Sequence, residues 1–552
     1  MIDRNSTFFR LSKEIAADFL QSTVIVDDYG ASGFYSSRHV SLLEPERHRR
    51  PPIGVKASLA QPDALSTEEA ENVAPEIDYG SDHYFDEKVI VRAFAKKGVV
   101  CSVIKPEKAE AEMDSLTELI RDLADCADIT VLDWSLYDDK GKQALEIIAN
   151  VLSQDRERPT GRLRLLAIYT GNNAPDRIAP TIKEHLEEEL PNSVEMDANG
   201  FALNCGATRI VILLKPERDK ISQQFHERIV EFDNLAESLI EEFTQMTAGL
   251  VSNVLVKSLA HLRKNTFKML GRFSGDLDAP FLTHRVLQDN VPEDAEEDLV
   301  MLISREIEAI LEEAGSGRCA GIEAIKAWLV LNGIESLDLG RNKPFTRDQF
   351  AEACISGITA FDGLSNSEQR NLHQKITRQL HPAAQERLLD EKFAHLTVMR
   401  SFYENKLPTL TLGSVVKVTK EDEAGGSLYW VCLLPRCDTV RLDEPRAFLF
   451  LPLLMDQNQF NWVLREGNSY TRLRVESKPY NLRVFTFRPV EHRMILAKKE
   501  SGDYFFHDVN DVQFKWLGEL RGDHALRLSG SFAATMSRIG LSESKWLERS
   551  AK

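Results

Sequence analysis

The sequence predicts an α/β domain on a parallel five-stranded sheet, followed by an α-helical region and a mostly antiparallel β, α+β-type C-terminal domain. Three observations carry this. Up to residue 216, short apolar runs end on polar residues and alternate with helix-like segments. The runs TVIV, ITVL and RIVILL are continuous rather than alternating, as in parallel strands covered on both faces. Beyond Leu412, apolar and alternating runs are separated by turn-like stretches such as EDEAGG and REGNS. The 552 residues suffice for about three domains. These divide as 1–216 with an insertion at about 31–85, a helical region 217–404, and a β-rich part 405–552 with terminal helices.

Taken in order, a helical segment, Ser12 to Phe19, leads into TVIVDDYG, a strand ending in Asp27 and Asp28. From Ala31 to about Phe85 the chain is rich in Pro, Ser, Glu and Arg: a surface excursion, or a segment that controls access to the acidic end of the sheet. A helix near Asp86–Lys97, the strand VVCSVI and a helix around Met113–Ala124 follow. ITVLDWSLYDDKG then delivers Asp133 to a strand's carboxyl edge, where open α/β sheets bind ligands. RLLAIYTGN ends on Thr170 and Gly171, and TRIVILLKP on Lys215 and Pro216. Between them, an acidic helix (Ile182–Leu190) and DANGFALNC predict an extra strand or hairpin.

Carboxylate pair, Asp, Thr and Lys at four separate strand ends, in that order, resemble the receiver domain of two-component response regulators, over about residues 20–216. The resemblance implies a flavodoxin-like fold and Mg²⁺-dependent phosphoryl transfer from a histidine kinase or phosphotransfer protein. It casts Asp133 as the phosphoacceptor and Lys215 and Thr170 as phosphoryl-binding groups. It gives Asp28, Asp133 and the Ser135 carbonyl as direct Mg²⁺ ligands, with Asp27 acting through water. It also implies a cis peptide at Lys215–Pro216. Two positions depart from the family: Ile212 replaces the usual aromatic three residues before the lysine, and Tyr137 stands where Pro is frequent.

Past Pro216, Phe225, Ile229, Phe232, Ala236, Leu239, Phe243, Met246 and Leu250 keep steps of four and three. This seam fits a homodimeric coiled coil, or packing inside its own chain. Helices are expected at Val254–Met269, Ala295–Glu313, Ile322–Leu331, Arg347–Ala360, Ser367–Leu380 and Gln385–Tyr403. AGSGRCAG follows a helix and lacks a GK[ST] ending, so it reads as an interhelical loop. The last third gives strands from GSVVKVTK to NLRVFTFRP, closed by helices around Phe514–Leu520 and Ala525–Ile539.

A net charge of −18 argues against a nucleic-acid footprint over the whole chain. No apolar run has membrane-spanning length and Met1–Gln21 lacks a signal-peptide core, so a cytoplasmic protein is expected. The seven cysteines are scattered, as reduced thiols are; Cys432 and Cys437 lack a second pair at zinc spacing. No independent enzyme motif follows residue 216. The enlarged receiver and unfamiliar C-terminal part resemble the diverged receivers of bacterial antiphage conflict systems, which implies a phosphate sink. Two alternatives stand beside it: a receiver-controlled effector enzyme with its activity in the C-terminal half, and a degenerate receiver used as a scaffold.

Overall fold

The computed structural model describes residues 2–28, 85–107, 114–156, 162–189, 194–216, 221–287, 292–339, 344–357, 372–381, 388–403, 406–418, 428–457, 459–467, 469–490 and 493–537. Of the insertion expected at 31–85, only Phe85 is among them. The chain forms two compact units, Ala16–Met246 and Met1–Ile15 with Thr247–Lys552.

The first unit is built on strands β1 (Ser22–Val26), β2 (Val100–Ile104), β3 (Ile129–Leu132), β4 (Arg164–Thr170), β5 (Val194–Met196), β6 (Ala202–Cys205) and β7 (Thr208–Leu214). Their order is β2-β1-β3-β4-β7-β6-β5. The first five in that order are mutually parallel, whereas β6 and β5 add as an antiparallel hairpin. The sheet is therefore seven-stranded rather than five-stranded. The hairpin extends it because Ala202–Cys205 offers a free ladder to β7 immediately before the chain turns back into β7. β3, β4 and β7 are buried along their whole length, which explains their uninterrupted apolar sequence.

Two apolar layers cover the sheet. On one side lie α3 (Asp114–Cys126), α4 (Lys142–Arg156) and α5 (Ile178–Glu189), with Ile120, Ile148 and Ile182 against Val26, Leu132 and Ile168. On the other lie α2 (Glu87–Lys96), the end of α1 (Thr7–Phe19) and α6 (Leu235–Thr247). Here the heptad seam resolves differently from a continuous helix. Residues 223–228 and 232–234 are 3-10 turns, and the α-helix begins only at Leu235. Phe232, Leu235, Ala236, Leu239 and Phe243 are buried in the sheet's own core beside Val131, Ala167 and Tyr169. Heptad spacing and a helix packed on a sheet need the same apolar stripe, so periodicity alone could not separate them.

Buried ion pairs tie the layers. Arg164, at the start of β4, makes a bidentate pair with Asp155 at 2.6 and 2.7 Å and donates to the Ala124 carbonyl at 2.8 Å. Arg209 on β7 joins Asp197 beyond β5 (2.9 Å) to Glu242 on α6 (3.0 Å).

The second unit opens with helices α7 (Leu250–Arg272), α8 (Asp278–Leu287), α9 (Pro292–Glu313) and α10 (Ile322–Leu331). AGSGRCAG contains the 3-10 turn Ser316–Ala320 between α9 and α10, an interhelical connection. The β8–β9 pair (Ser336–Leu337 with Phe345–Thr346), α11 (Arg347–Ser356), α12 (Leu372–Leu380) and α13 (Leu388–Val398) follow. A nine-stranded antiparallel sheet comprises β10 (Ser414–Val418), β11 (Tyr429–Cys432), β12 (Arg446–Met455), β13 (Trp462–Glu466), β14 (Ser469–Val475), β15 (Arg483–Phe487), β16 (Lys498–Glu500), β17 (Asp503–His507) and β18 (Gln513–Glu519). α14 (Gly522–Met536) closes one face, burying Ala525, Leu528 and Phe532. The helix expected at Phe514–Leu520 is in fact β18. Its Phe514 faces the core, and the strand pairs with both β10 and β17. Among the described residues no helix is long and apolar enough to cross a membrane.

Candidate phosphoacceptor site

The parallel strands end together, so their C-terminal residues share one edge. The Asp27 amide donates to the Ile104 carbonyl at 3.1 Å, and the Asp133 amide to Val26 at 2.9 Å. The ladder thus runs out at the acids and leaves their side chains at the rim. One carboxylate oxygen from each of Asp27, Asp28 and Asp133 lies within 4.8 Å of the others, and all three residues are buried. Lys215 reaches across from β7. Its ammonium sits 2.6 Å from Asp133 Oδ2 and 2.7 Å from Asp27 Oδ2.

Electrostatics follow from this crowding. Burial pushes the Asp133 carboxyl up to about 6; Lys215 opposes that rise and Asp27 adds to it. Burial also raises Asp28, against the Tyr137 amide that donates to its Oδ2 at 2.7 Å. For Lys215, burial disfavours the charge, but Asp133 and Asp27 outweigh it and hold the pKa above its ordinary value. The ammonium also lies 5.6 Å from the centre of the buried Phe85 ring.

The loop after β3 shapes the pocket. Tyr137, Asp138 and Lys140 adopt positive φ of 53°, 61° and 59°, a conformation non-glycine residues avoid. It is held by the Tyr137 amide on Asp28 and the Tyr137 hydroxyl on the Pro106 carbonyl at 2.5 Å. Gly141 has φ 91°, and a Cβ there would stand 2.3 Å from the buried Trp134 ring. Asp139 ends the loop by accepting from the Gly141 and Gln143 amides at 3.0 and 2.7 Å, at the start of α4.

The structure thus brings together Asp27, Asp28, Asp133 and Lys215. Ser135 lies beside them: its amide points at Asp133 Oδ1 at 3.5 Å, and its hydroxyl accepts from the Lys140 amide at 3.3 Å. Thr170 ends the neighbouring β4, where its carbonyl accepts from the Lys215 amide at 2.9 Å. Its hydroxyl accepts from the Asn172 amide at 3.2 Å. The Lys215–Pro216 peptide is trans, contrary to the cis bond that the resemblance implied; a trans X–Pro bond is the intrinsically favoured form. Sequence reading passed over Phe85 and the backbone role of Tyr137. Only the departure at Tyr137 marked that loop as unusual.

A hard divalent cation fits this donor set. Three carboxylates converge, and the buried Asp28 Oδ1 has no hydrogen-bond partner, a donor atom suited to a hard cation. Residues 19–220 match the family model described as a response receiver domain, which identifies this segment. No curated protein and no solved structure matches the chain. A receiver domain over this segment suggests a response-regulator role.

Proposed function

We propose that the protein accepts a phosphoryl group on Asp133 from a histidine kinase or phosphotransfer protein. The observation that carries this is the buried Asp27–Asp28–Asp133 cluster bridged by Lys215. A carboxylate oxygen of Asp133 attacks phosphorus as the donor's P–N bond breaks. The bond's electron pair returns to the imidazole, and Asp133 becomes an acyl phosphate. With a carboxyl titrating near 6, Asp133 is mostly ionised at neutral pH and available as the nucleophile. A Mg²⁺ held by Asp28, Asp133 and the Ser135 carbonyl, with Asp27 through water, would neutralise charge on the transferred group. Lys215, already on Asp133 Oδ2, follows the developing charge onto a phosphoryl oxygen. Thr170, whose hydroxyl oxygen accepts from the Asn172 amide, keeps its proton to donate to the same group.

The protein acts in the cytoplasm through protein contacts made by residues 217–404 and 405–552, as a phosphate sink in a defence system against phage. Ile212 supports a sink over a switch, because the strand position that is aromatic in the family is here a buried aliphatic. Intact-mass measurement after exposure to Mg²⁺ and a small phosphodonor tests the reading. One phosphoryl adduct on the wild type, absent from Asp133→Asn, is expected, with decay fast enough to accept repeatedly. No adduct from either a small donor or the cognate kinase would overturn phosphotransfer; an adduct that persists for many hours would overturn the sink.

A further inference from the structure

We infer that α7 and α9 form a dimerisation face whose occupant is the same face of a second copy of this chain, closing a four-helix bundle. The two helices run antiparallel: Lys268 meets Glu313 at 2.7 Å and Arg272 meets Glu306 at 2.6 Å. One side of α7 is settled, with Asn253, Val256 and Ala260 buried; Ser258, on the other side, is hydrogen-bonded to Ser316 at 2.7 Å and ties the helix to the turn after α9. Another side carries Val251, Leu255, Leu259 and Leu270, all exposed; Leu270 is 76 % exposed. Leu255, Leu259, Leu262, Thr266, Met269 and Phe273 repeat in steps of four and three, the seam spacing of a helix bundle. On α9, Val300, Met301, Leu302 and Ile303 are all exposed, and Val300 and Ile303 share one side at 61 % and 37 %.

Helical geometry puts both stripes on one side of the hairpin. On α7 the stripe lies about a third of a turn beyond the side holding Lys268 and Arg272. On α9 it lies about a quarter of a turn beyond the side holding Glu306 and Glu313. Because the helices are antiparallel, these equal-handed rotations open in the same direction. The result is exposed apolar side chains on the same side of two long helices, the kind of surface that a partner covers.

Charge selects the occupant. α7 carries Lys257, Arg263, Lys264, Lys268 and Arg272 and no acid. Over its described side chains α9 carries Glu306, Glu308, Glu312 and Glu313 against Arg305. A two-fold axis through the apolar face sets each basic helix beside the acidic helix of the second copy, with like helices on the diagonals. The alternation already present within one hairpin then continues around the bundle. This seam is distinct from the Phe225–Leu250 stripe, part of which is buried against the receiver sheet, and it does not rest on phosphorylation of Asp133.

Sedimentation velocity of the full chain tests the inference. At about 10 µM the wild type should sediment at twice the 62.5 kDa chain mass. Leu255→Glu with Leu270→Glu should weaken association about 100-fold or more, with unchanged circular dichroism, since both side chains are exposed in the single chain. Carbodiimide cross-linking of mixed light and heavy isotope-labelled wild type gives a readout independent of any variant: α7 lysines should join α9 carboxylates in mixed-isotope pairs. A wild type that stays monomeric at about 50 µM, even one that binds its kinase through this face, would overturn the inference. A dimer untouched by the double substitution, or one lacking mixed α7–α9 cross-links, would do the same.

Discussion

At Asp133, burial opposes the negative charge more strongly than Lys215 supports it, and the carboxyl titrates at about 6 against an unfolded value near 3.9. The folded state therefore holds the proton more tightly, and this residue's contribution to stability falls as pH rises from about 4 to about 6. The loss is about 3 kcal/mol, at roughly 1.4 kcal/mol per pH unit. Lys215 is shifted in the other sense, but its contribution disappears only above its ordinary pKa of 10.5, outside that window. Urea unfolding should accordingly show Asp133→Asn gaining on the wild type as pH rises from about 4 to about 6, because the substitution removes the carboxyl that titrates there. Parallel pH profiles for the two proteins would refute the assignment. Millimolar Mg²⁺ should close the gap by raising the wild-type melting temperature, and Asp28→Asn should abolish that rise. A further test concerns Gly141. An alanine there meets the Trp134 ring at 2.3 Å and sits at φ 91°, so Gly141→Ala should cost about 2–4 kcal/mol and slow phosphorylation by distorting the loop that holds Asp28. At this scale the acids and Lys215 were legible, because a polar residue directly after an all-apolar strand has few structural reasons to be there. Phe85 was not, because its approach to Lys215 crosses more than a hundred residues of sequence. The Tyr137–Asp28 bond runs through a backbone amide, which residue identity does not encode.

Among the elements, Arg164 shows how a buried charge is tolerated in a strand that otherwise reads as core. Its guanidinium is met by Asp155, Asp125 and the Ala124 carbonyl. Removing it strands Asp155 in the interior, so Arg164→Ala should destabilise the first unit by about 3–5 kcal/mol. Arg164→Ala combined with Asp155→Ala should recover part of that loss, a coupling a double-mutant cycle would measure. The parallel strands were readable because double burial leaves an uninterrupted apolar run. β18 was not, because QFKWLGE is too short for period two to stand out from period 3.6 and its Phe514 and Leu517 also fit a helix face. The β16–β17 hairpin escaped for a related reason: KKE and DYFFH carry mixed polarity, and their pairing is set by the turn at Ser501 and Gly502 and by the neighbouring β18.

For the whole molecule, the decisive boundary is the one after α6. The resemblance at the strand ends stops at Pro216, but the first compact unit runs to Met246. The difference is physical: without the residues between Pro216 and Met246, one face of the sheet loses Phe232, Leu235, Leu239 and Phe243, each contributing about 2 kcal/mol of burial. Tyr169 also loses the Val230 carbonyl that its hydroxyl reaches at 2.7 Å, and Arg209 loses Glu242 and keeps an incompletely paired charge. A fragment ending at Pro216 should therefore unfold without a cooperative transition and bind hydrophobic dyes. A fragment of residues 1–248 should melt cooperatively and accept phosphate on Asp133 as the full chain does. Calorimetry with intact-mass phosphorylation on both fragments decides the matter, since a cooperative, phosphorylatable 1–216 would show that α6 is an appendage to the receiver rather than its last helix.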